Sequence, residues 1–433
     1  MKNADLASEV VVRPARSIAG TLHLPGDKSI SHRYAMLGGI AEGVTRLENY
    51  STGADCASTL GCIKTLGVPC EKSGNNILIH GRGPQLQEPA SPLDCGNSGS
   101  TIRMLSGILA GQHFSSKLYG DESLSRRPMA RVIAPLEAMG AKVAAGGGGR
   151  PPLRITGGNL RGIDYETPVP SAQVKTCVLF AGLFAQGETR VRESVRTRDH
   201  GEIALRAFGA EMKRDANAAL VRGGAKLQGI EAKIPGDIST AAFFVCAAAL
   251  FPNSELVIPN LLMNPTRARL LDVLIAMGVH ISVTQLEEHH GELVGTVQVE
   301  GRHLKGTLIQ GADTTALIDE IPIMAAIAPF TEGGIEFRNA GELRFKESDR
   351  IAAVARNLRA MGAQVDERED GLKIPGGQQL QGAEIDSLGD HRIAMAFAVA
   401  ALRCSGESVI HGAEAAAISF PDFFDSLEVV VQR

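Results

Sequence analysis

The sequence predicts an α/β protein of two similar domains, each built from three units of strand, buried helix, strand, outer helix, strand and strand. Three repeated phrases carry this prediction. The first is a polar or charged tip that runs straight into a small-residue apolar helix, recurring about every seventy residues. The second is a helix end closing on glycine, and the third is a short β-like run that breaks at glycine. Self-similarity at a fixed spacing signals copies of one supersecondary unit.

The tips, in order, are Gly26-Asp27-Lys28-Ser29, Cys95-Gly96-Asn97-Ser98-Gly99, Pro170-Ser171-Ala172-Gln173, Pro235-Gly236-Asp237, Leu317-Ile318-Asp319-Glu320 and Gly389-Asp390-His391-Arg392. The segments that follow, such as Phe243 to Leu250 and Ile393 to Leu402, have almost no polar face, so these helices must be buried. Their unpaired first N–H groups and positive dipole ends then form an anion site where several converge. The helix ends read Leu66-Gly67, Met139-Gly140, Phe208-Gly209, Met277-Gly278 and Met361-Gly362, with glycine suited to the left-handed C′ position. The β-like runs end at Gly81, Gly157, Gly301 and Gly376. The Gly146 to Gly149 run lacks the Lys-Ser/Thr and the opening helix of a phosphate loop, and reads as a surface turn.

Six such units exceed what one core supports, so a division of three plus three is expected. The first domain is placed at residues 26–235, and the second at residues 1–25 and 236–433. Two hinge crossovers fall near Pro25 and Pro235, with closure over a ligand as the expected motion.

Composition narrows the function. The 433 residues are 44% hydrophobic, enough to fill two cores, and Lys+Arg 44 against Asp+Glu 48 leaves a net charge of −4. That balance argues against nucleic-acid or membrane affinity through bulk charge, so anion binding must be local. Seven cysteines stand apart with no CxxC pair and no His at zinc spacing, which predicts reduced thiols and no metal. Met1 to Val12 has no apolar run of signal length, and no stretch reaches the roughly 20 apolar residues of a membrane span; the cytoplasm is the expected compartment.

Several segments place cations where helix propensity disfavours them. Lys28 and Arg33 flank a helix start, where a cation is unfavourable by about 0.3–1 kcal/mol unless an anion sits there. A solvated basic helix start is the plainer reading of that segment, and an N-cap loop is the plainer reading of Asn97-Ser98-Gly99. Arg126-Arg127-Pro128 and Arg196-Thr197-Arg198 put guanidinium pairs at turns before helices, suited to bidentate capture of phosphate or carboxylate. Arg344 to Arg350 is expected to open the helix running to Met361, with Glu347 among three cations, a setting for proton transfer beside a clamped anion. Asp319 occupies the tip position that Lys28, Asn97 and Gln173 occupy in other units, while Asp237 reads equally well as a cap.

Taken together, Leu24-Pro25-Gly26-Asp27-Lys28-Ser29-Ile30-Ser31-His32-Arg33, Gly96-Asn97-Ser98-Gly99, Arg127-Pro128, Ser171-Ala172-Gln173, Lys346-Glu347-Ser348-Asp349-Arg350 and Asp390-His391-Arg392 resemble the EPSP synthase (3-phosphoshikimate 1-carboxyvinyltransferase) family. The resemblance covers almost the whole chain in order. It implies the inside-out α/β barrel of enolpyruvyl transferases, and transfer of the enolpyruvyl group of phosphoenolpyruvate to the 5-hydroxyl of shikimate 3-phosphate, on the route to chorismate and aromatic amino acids. It implies shikimate 3-phosphate at Lys28, Ser29, Arg33, Ser171, Ala172, Gln173, Arg198, Asp319 and Lys346, and phosphoenolpyruvate at Lys28, Gly99, Arg127, Gln173, Arg350 and Arg392. Asp319 would take the hydroxyl proton, Glu347 would protonate the methylene carbon and Lys28 would stabilise charge, with no cofactor or metal and the protein a monomer.

One position departs from the family pattern. Many members carry Lys immediately before the Ser/Thr-Phe-Pro segment, where this chain has Ile418 before Ser419-Phe420-Pro421. Gly99 keeps the small residue that leaves room for the inhibitor glyphosate, so sensitivity is expected. The related transferase acting on UDP-N-acetylglucosamine is the nearest alternative; it typically has Lys-Asn where Lys28-Ser29 stands, and a reactive Cys that Gly120 to Arg127 lacks. A nucleic-acid-end cyclase is disfavoured by the acidic balance. A non-catalytic anion-binding protein would need the arginines but no proton-transfer pair.

Overall fold

Why these residues form this architecture is clearest in the buried helices. A computed structural model describes residues 8–433; the readings made on Met1 to Val12 and on residues 1–25 fall partly on residues 1–7, outside the described residues. All 12 residues of the helix Ile238–Ala249 are buried, as are all 11 of His391–Ala401. In Lys28–Ile40, 11 of 13 are buried, Ile30 through Ile40. Runs of alanine and bulky aliphatics make Ile238–Ala249 and most of His391–Ala401 apolar on every side, and Lys28–Ile40 buries even Ser31, His32 and Arg33, so each is wrapped rather than laid on a surface.

The chain folds as two units. A contiguous unit gathers Pro25–Ile234 with Glu288–Glu292, and a discontinuous unit gathers the segment ending at Leu24, Pro235–Glu287 and Leu293–Arg433. The contiguous unit holds the buried helices Lys28–Ile40, Gly99–Ala110 and Ala172–Gly182 and three four-stranded sheets. One sheet orders Leu93–Asp94, Ser115–Tyr119, Arg150–Thr156 and Lys142–Gly146, the first pair parallel and the others antiparallel. Asp164–Glu166, Glu188–Arg192, Ala218–Arg222 and Met212–Arg214 repeat that order and those directions.

A parallel first pair requires a crossover, and the buried helix supplies it. Each tip therefore lies where a strand hands over to a buried helix. The discontinuous unit follows the same plan around Ile238–Ala249, Ile321–Ile327 and His391–Ala401. Its sheet of Lys305–Ile309, Glu332–Phe337, Gly371–Ile374 and Asp366–Arg368 has the same directions.

Two strands trade places along the chain. Ser17–Thr21, which precedes the first tip, pairs parallel with Glu255–Leu262 and antiparallel with Val431–Gln432 in the discontinuous unit. Glu231–Lys233, which precedes the fourth tip, pairs parallel with Val44–Glu48 in the contiguous unit.

The glycines that end the outer helices adopt the backbone expected of them. Gly67, Gly140, Gly209, Gly278 and Gly362 all have left-handed φ, between +83° at Gly67 and +111° at Gly140. Two local features differ from the reading of the sequence. The fifth tip runs into its buried helix, but a short helix, Ala312–Leu317, precedes it; residues 318–320 form a turn between the two, and Ile321–Ile327 begins with proline in its first turn. Pro322 has no N–H to donate, which suits a helix start and not its interior. Likewise Arg344 to Lys346 is not yet α-helix; Gly341–Phe345 is a 3-10 turn, Lys346 and Glu347 lie in the following loop, and Asp349 caps the helix Arg350–Ala360.

The Ser419-Phe420-Pro421 segment is anchored in the discontinuous unit by an aromatic cluster. Phe423 lies 5.4 Å from Phe244 and 6.4 Å from Phe420, centroid to centroid. Among the described residues no helix is long and apolar enough to cross a membrane.

Gly362 tests the helix-end argument cleanly, because a Cβ added there meets nothing within 4 Å and only the backbone conformation is penalised. Gly362→Ala is expected to lower stability by about 1–2 kcal/mol in urea titration with an unchanged slope. An unchanged midpoint would contradict it.

Candidate active site

A helix wrapped on all sides still leaves four N–H groups unpaired at its start. The side chains at the tips take up some of them. Asp27 accepts from the Ile30 amide at 2.9 Å, Ser98 from Thr101 at 3.0 Å and Ser171 from Val174 at 3.4 Å. Asp237 accepts from both Ser239 and Thr240, at 2.7 and 3.1 Å, so it is a helix cap, the plainer of its two readings.

In the contiguous unit the three tips are joined to one another. Gln173 donates to Ser100 Oγ at 2.9 Å and accepts from Arg103 Nη1 at 2.8 Å, tying the third tip to the second. Arg33 donates to Thr176 Oγ1 at 3.0 Å and to the Ser29 carbonyl at 2.8 Å, tying the first tip to the third. Arg127 reaches Asn97 Oδ1 at 2.8 Å and Ser123 Oγ at 3.1 Å. Lys28 Nζ lies 3.0 Å from Asp55 Oδ2, at the first turn of the helix Ala54–Thr65. Arg198 lies in the loop between the strand Glu188–Arg192 and the helix His200–Ala207.

Gly99 sits directly under two guanidiniums. A Cβ built there would be 2.7 Å from Arg103 Nη1 and 3.2 Å from Arg127 Nη1, so even a methyl group forces one of them to shift. The close approach of two cations to bare backbone is what glycine permits at this helix start.

In the discontinuous unit the site is organised around Arg350, which is fully buried. Its Nε and Nη2 donate to the two oxygens of Asp390 at 2.8 and 3.2 Å. Its Nη2 also donates to Glu347 at 2.6 Å, and its Nη1 lies 3.7 Å from Asp319 Oδ1. Lys346 Nζ stands 3.4 Å from the same Asp319 oxygen. Arg392 Nη1 donates to the Asp319 carbonyl at 2.5 Å and lies 3.8 Å from Glu320.

Burial works to lower the pKa of Arg350, but the charges of Asp390 and Glu347 outweigh it and hold the guanidinium above its ordinary value. For Asp390 burial works upward, and Arg350 outweighs it, holding the carboxyl below the usual carboxylate range. Asp390 is at once the cap of its helix, accepting from the Arg392 amide at 2.9 Å, and the counter-ion of Arg350.

The structure thus gathers Lys28, Ser29, Arg33, Gly99, Arg127, Ser171, Ala172 and Gln173 at the joined tips of one unit, with Arg198 in a loop of the same unit. Asp319, Lys346, Glu347, Arg350 and Arg392 gather in the other. Sequence reasoning missed Arg103, Asp55 and Arg267, and gave Glu320 a place in the fifth tip but no partner. Arg103 had a readable signal, a lone cation inside an apolar helix. Arg267 donates to Ser239 Oγ at 2.7 Å, and Ser239 in turn donates to Glu320.

Repeated strand-to-helix crossovers whose starts carry arginines, lysines and carboxylates define an α/β protein equipped to hold small anions and move protons. Known proteins identify the family. The model of EPSP synthase (3-phosphoshikimate 1-carboxyvinyltransferase) matches residues 12–427. A 3-phosphoshikimate 1-carboxyvinyltransferase of Koribacter versatilis is 59% identical, over 98% of this chain and 99% of that one. The enzyme of the same name from Solibacter usitatus is 57% identical, over 97% and 99%. The solved EPSP synthase of Acinetobacter baumannii superposes with a TM-score of 0.88 at 41% identity, covering 98% of each chain. The chain belongs to the EPSP synthase family.

Since the folded pKa of Asp390 is depressed, its contribution to stability is fully present above the unfolded value of about 4 and is lost as pH falls through the lower folded value. Asp390→Asn is expected to lower stability at pH 7 by about 3–5 kcal/mol, because it strips Arg350 of a buried partner. Thermal unfolding between pH 7 and 3 should show a shallower acid limb in the variant than in the parent; identical limbs would count against the assignment.

Proposed function

We propose that the protein transfers the enolpyruvyl group of phosphoenolpyruvate to the 5-hydroxyl of shikimate 3-phosphate, releasing phosphate and 5-enolpyruvylshikimate 3-phosphate. One observation supports the chemistry above others. Asp319 and Glu347 flank the same buried cation, at 3.7 and 2.6 Å from Arg350, with Lys346 beside Asp319. A pair of carboxylates held in fixed places among cations is what acid–base work on an anionic substrate requires.

In this reading Lys28, Ser29, Arg33, Ser171, Ala172, Gln173, Arg198, Asp319 and Lys346 hold shikimate 3-phosphate. Lys28, Gly99, Arg127, Gln173, Arg350 and Arg392 hold phosphoenolpyruvate. Glu347 gives a proton to the methylene carbon of phosphoenolpyruvate, and the adjacent carbon becomes electrophilic. The 5-hydroxyl oxygen bonds to that carbon as Asp319 takes its proton. The tetrahedral ketal then loses the proton gained at the methyl carbon, and the bond to the phosphate oxygen breaks. Lys28 and the arginines supply the electrostatic stabilisation, in positions fixed before the reaction begins. The finer reading is of a monomer in the cytoplasm; the seven free cysteines, six of them buried, suit a reducing compartment.

The relatives' shared name supports shikimate 3-phosphate over UDP-N-acetylglucosamine as acceptor. A phosphate-release assay separates the two: release is expected only when phosphoenolpyruvate and shikimate 3-phosphate are both present. Release with UDP-N-acetylglucosamine instead, or none with either acceptor, would overturn the proposal.

Asp319→Ala and Glu347→Gln are each expected to lower kcat by about 10²–10⁴ while substrate binding persists. Turnover at the parent rate in either variant would remove that residue from the mechanism. The parent is expected to be inhibited by glyphosate at fixed phosphoenolpyruvate, and activity persisting at millimolar inhibitor would contradict this. In Gly99→Ala the methyl group displaces Arg103 or Arg127. The KM for phosphoenolpyruvate should rise several-fold and glyphosate inhibition should weaken further still; unchanged values of both would mean that Gly99 does not line the site.

A further inference from the structure

The largest fully buried side chains include two cations, Arg350 and Lys175. Arg350 belongs to the site already described. Lys175 sits one turn into the buried helix Ala172–Gly182, in the contiguous unit. Its Nζ lies 2.7 Å from Glu193 and 2.8 Å from Glu202, and all three side chains are no more than 5% exposed.

Stability alone is a poor reason for such a cluster. A buried ion pair is at best weakly stabilising relative to apolar packing, and here two carboxylates face one ammonium. Glu202 Oε2 is buried without a hydrogen-bond partner among the described residues. What the cluster does achieve is connection. Glu193 begins the loop that follows the strand Glu188–Arg192, and it accepts hydrogen bonds from the Thr197 hydroxyl and, at 3.4 Å, from the Thr197 amide. The far end of that loop is fixed by Asp199, which accepts from Arg196 at 3.1 Å and from Arg214 at 2.5 Å. Arg198 lies between these two anchors.

We propose that Lys175 is a positioning residue for shikimate 3-phosphate: through Glu193 it fixes the 193–199 loop, and with it Arg198, against the helix start that carries Ser171 and Gln173. The cation is rooted on the helix itself, since the Lys175 amide donates to the Ser171 carbonyl at 3.0 Å. One ammonium therefore sets the spacing between two groups assigned to the same substrate. The inference rests on that assignment of Ser171, Gln173 and Arg198.

Steady-state kinetics of the full chain test it, with Arg198→Ala, Lys175→Met, Glu193→Gln and the doubles that carry Arg198→Ala. Glu193→Gln leaves Lys175 paired with Glu202 and so keeps the buried charge balanced, which makes it decisive if Lys175→Met fails to fold. Lys175→Met and Glu193→Gln should each raise the KM for shikimate 3-phosphate by about tenfold, with kcat and the KM for phosphoenolpyruvate within about twofold. In the Arg198→Ala background the same changes should add less than about twofold, because they act through the missing side chain. A folded Glu193→Gln variant with an unchanged KM for shikimate 3-phosphate would make the cluster purely structural and overturn the inference. So would a full effect persisting without Arg198. If Arg198→Ala alone leaves that KM unchanged, the assignment of Arg198 fails first and the inference falls with it, an outcome told apart from the others by that single variant.

Discussion

A helix that is apolar on every side has only its ends to offer to polar chemistry, and this constraint organises the protein. Once Ile238–Ala249 or His391–Ala401 is wrapped completely, its first N–H groups become the polar outlet of a hydrophobic core. Five tips meet that demand with a side-chain cap, from Asp27, Ser98, Ser171, Asp237 and Asp390. The fifth tip breaks the pattern. Its buried helix starts on Ile321-Pro322 with no side-chain cap, and Asp319 sits in the break before it. The one tip whose acid is not used to close a helix is the one whose acid the proposed mechanism uses as a base.

Buried cations are the second organising element. Arg350 holds Glu347 and Asp390 in hydrogen bonds and has Asp319 close by, so three carboxylates share one rigid fork. Such a fork fixes direction as well as distance. Lys175 plays its part with a point charge, which suits joining a helix to a loop more than orienting an oxygen. In both units a buried cation holds neighbouring charged side chains in place.

The parts of this molecule that could be read in the sequence are those with local causes. Glycine at a helix end, an acid before an apolar run, and a cation where the helix dipole disfavours one are all visible within a few residues, and the left-handed Gly67, Gly140, Gly209, Gly278 and Gly362 follow from the first of these. Partnerships across the fold were not readable. Nothing near Asp55 announces Lys28, and nothing near Glu320 announces Ser239 and Arg267, because those pairs are made by packing. Local geometry that rests on a small energetic margin was also missed. Residues 318–320 and 346–349 have compositions a helix tolerates, and only the restart at Pro322 and the cap at Asp349 end the ambiguity.

The trading of strands between the units has a consequence for how the chain comes to be folded. The contiguous unit draws its last sheet strand from Glu231–Lys233, so nearly all of it is in hand once about half of the protein has been synthesised. The other unit cannot be completed so early. Ser17–Thr21 takes Glu255–Leu262 on one side and Val431–Gln432 on the other, and Glu9–Val12 takes Ser408–His411. On a ribosome Ser17–Thr21 therefore has no partner until Glu255–Leu262 has emerged, and Glu9–Val12 none until Ser408–His411 has. Truncation at the tail would leave the head of the chain with an open sheet edge, a ready template for the wrong partner.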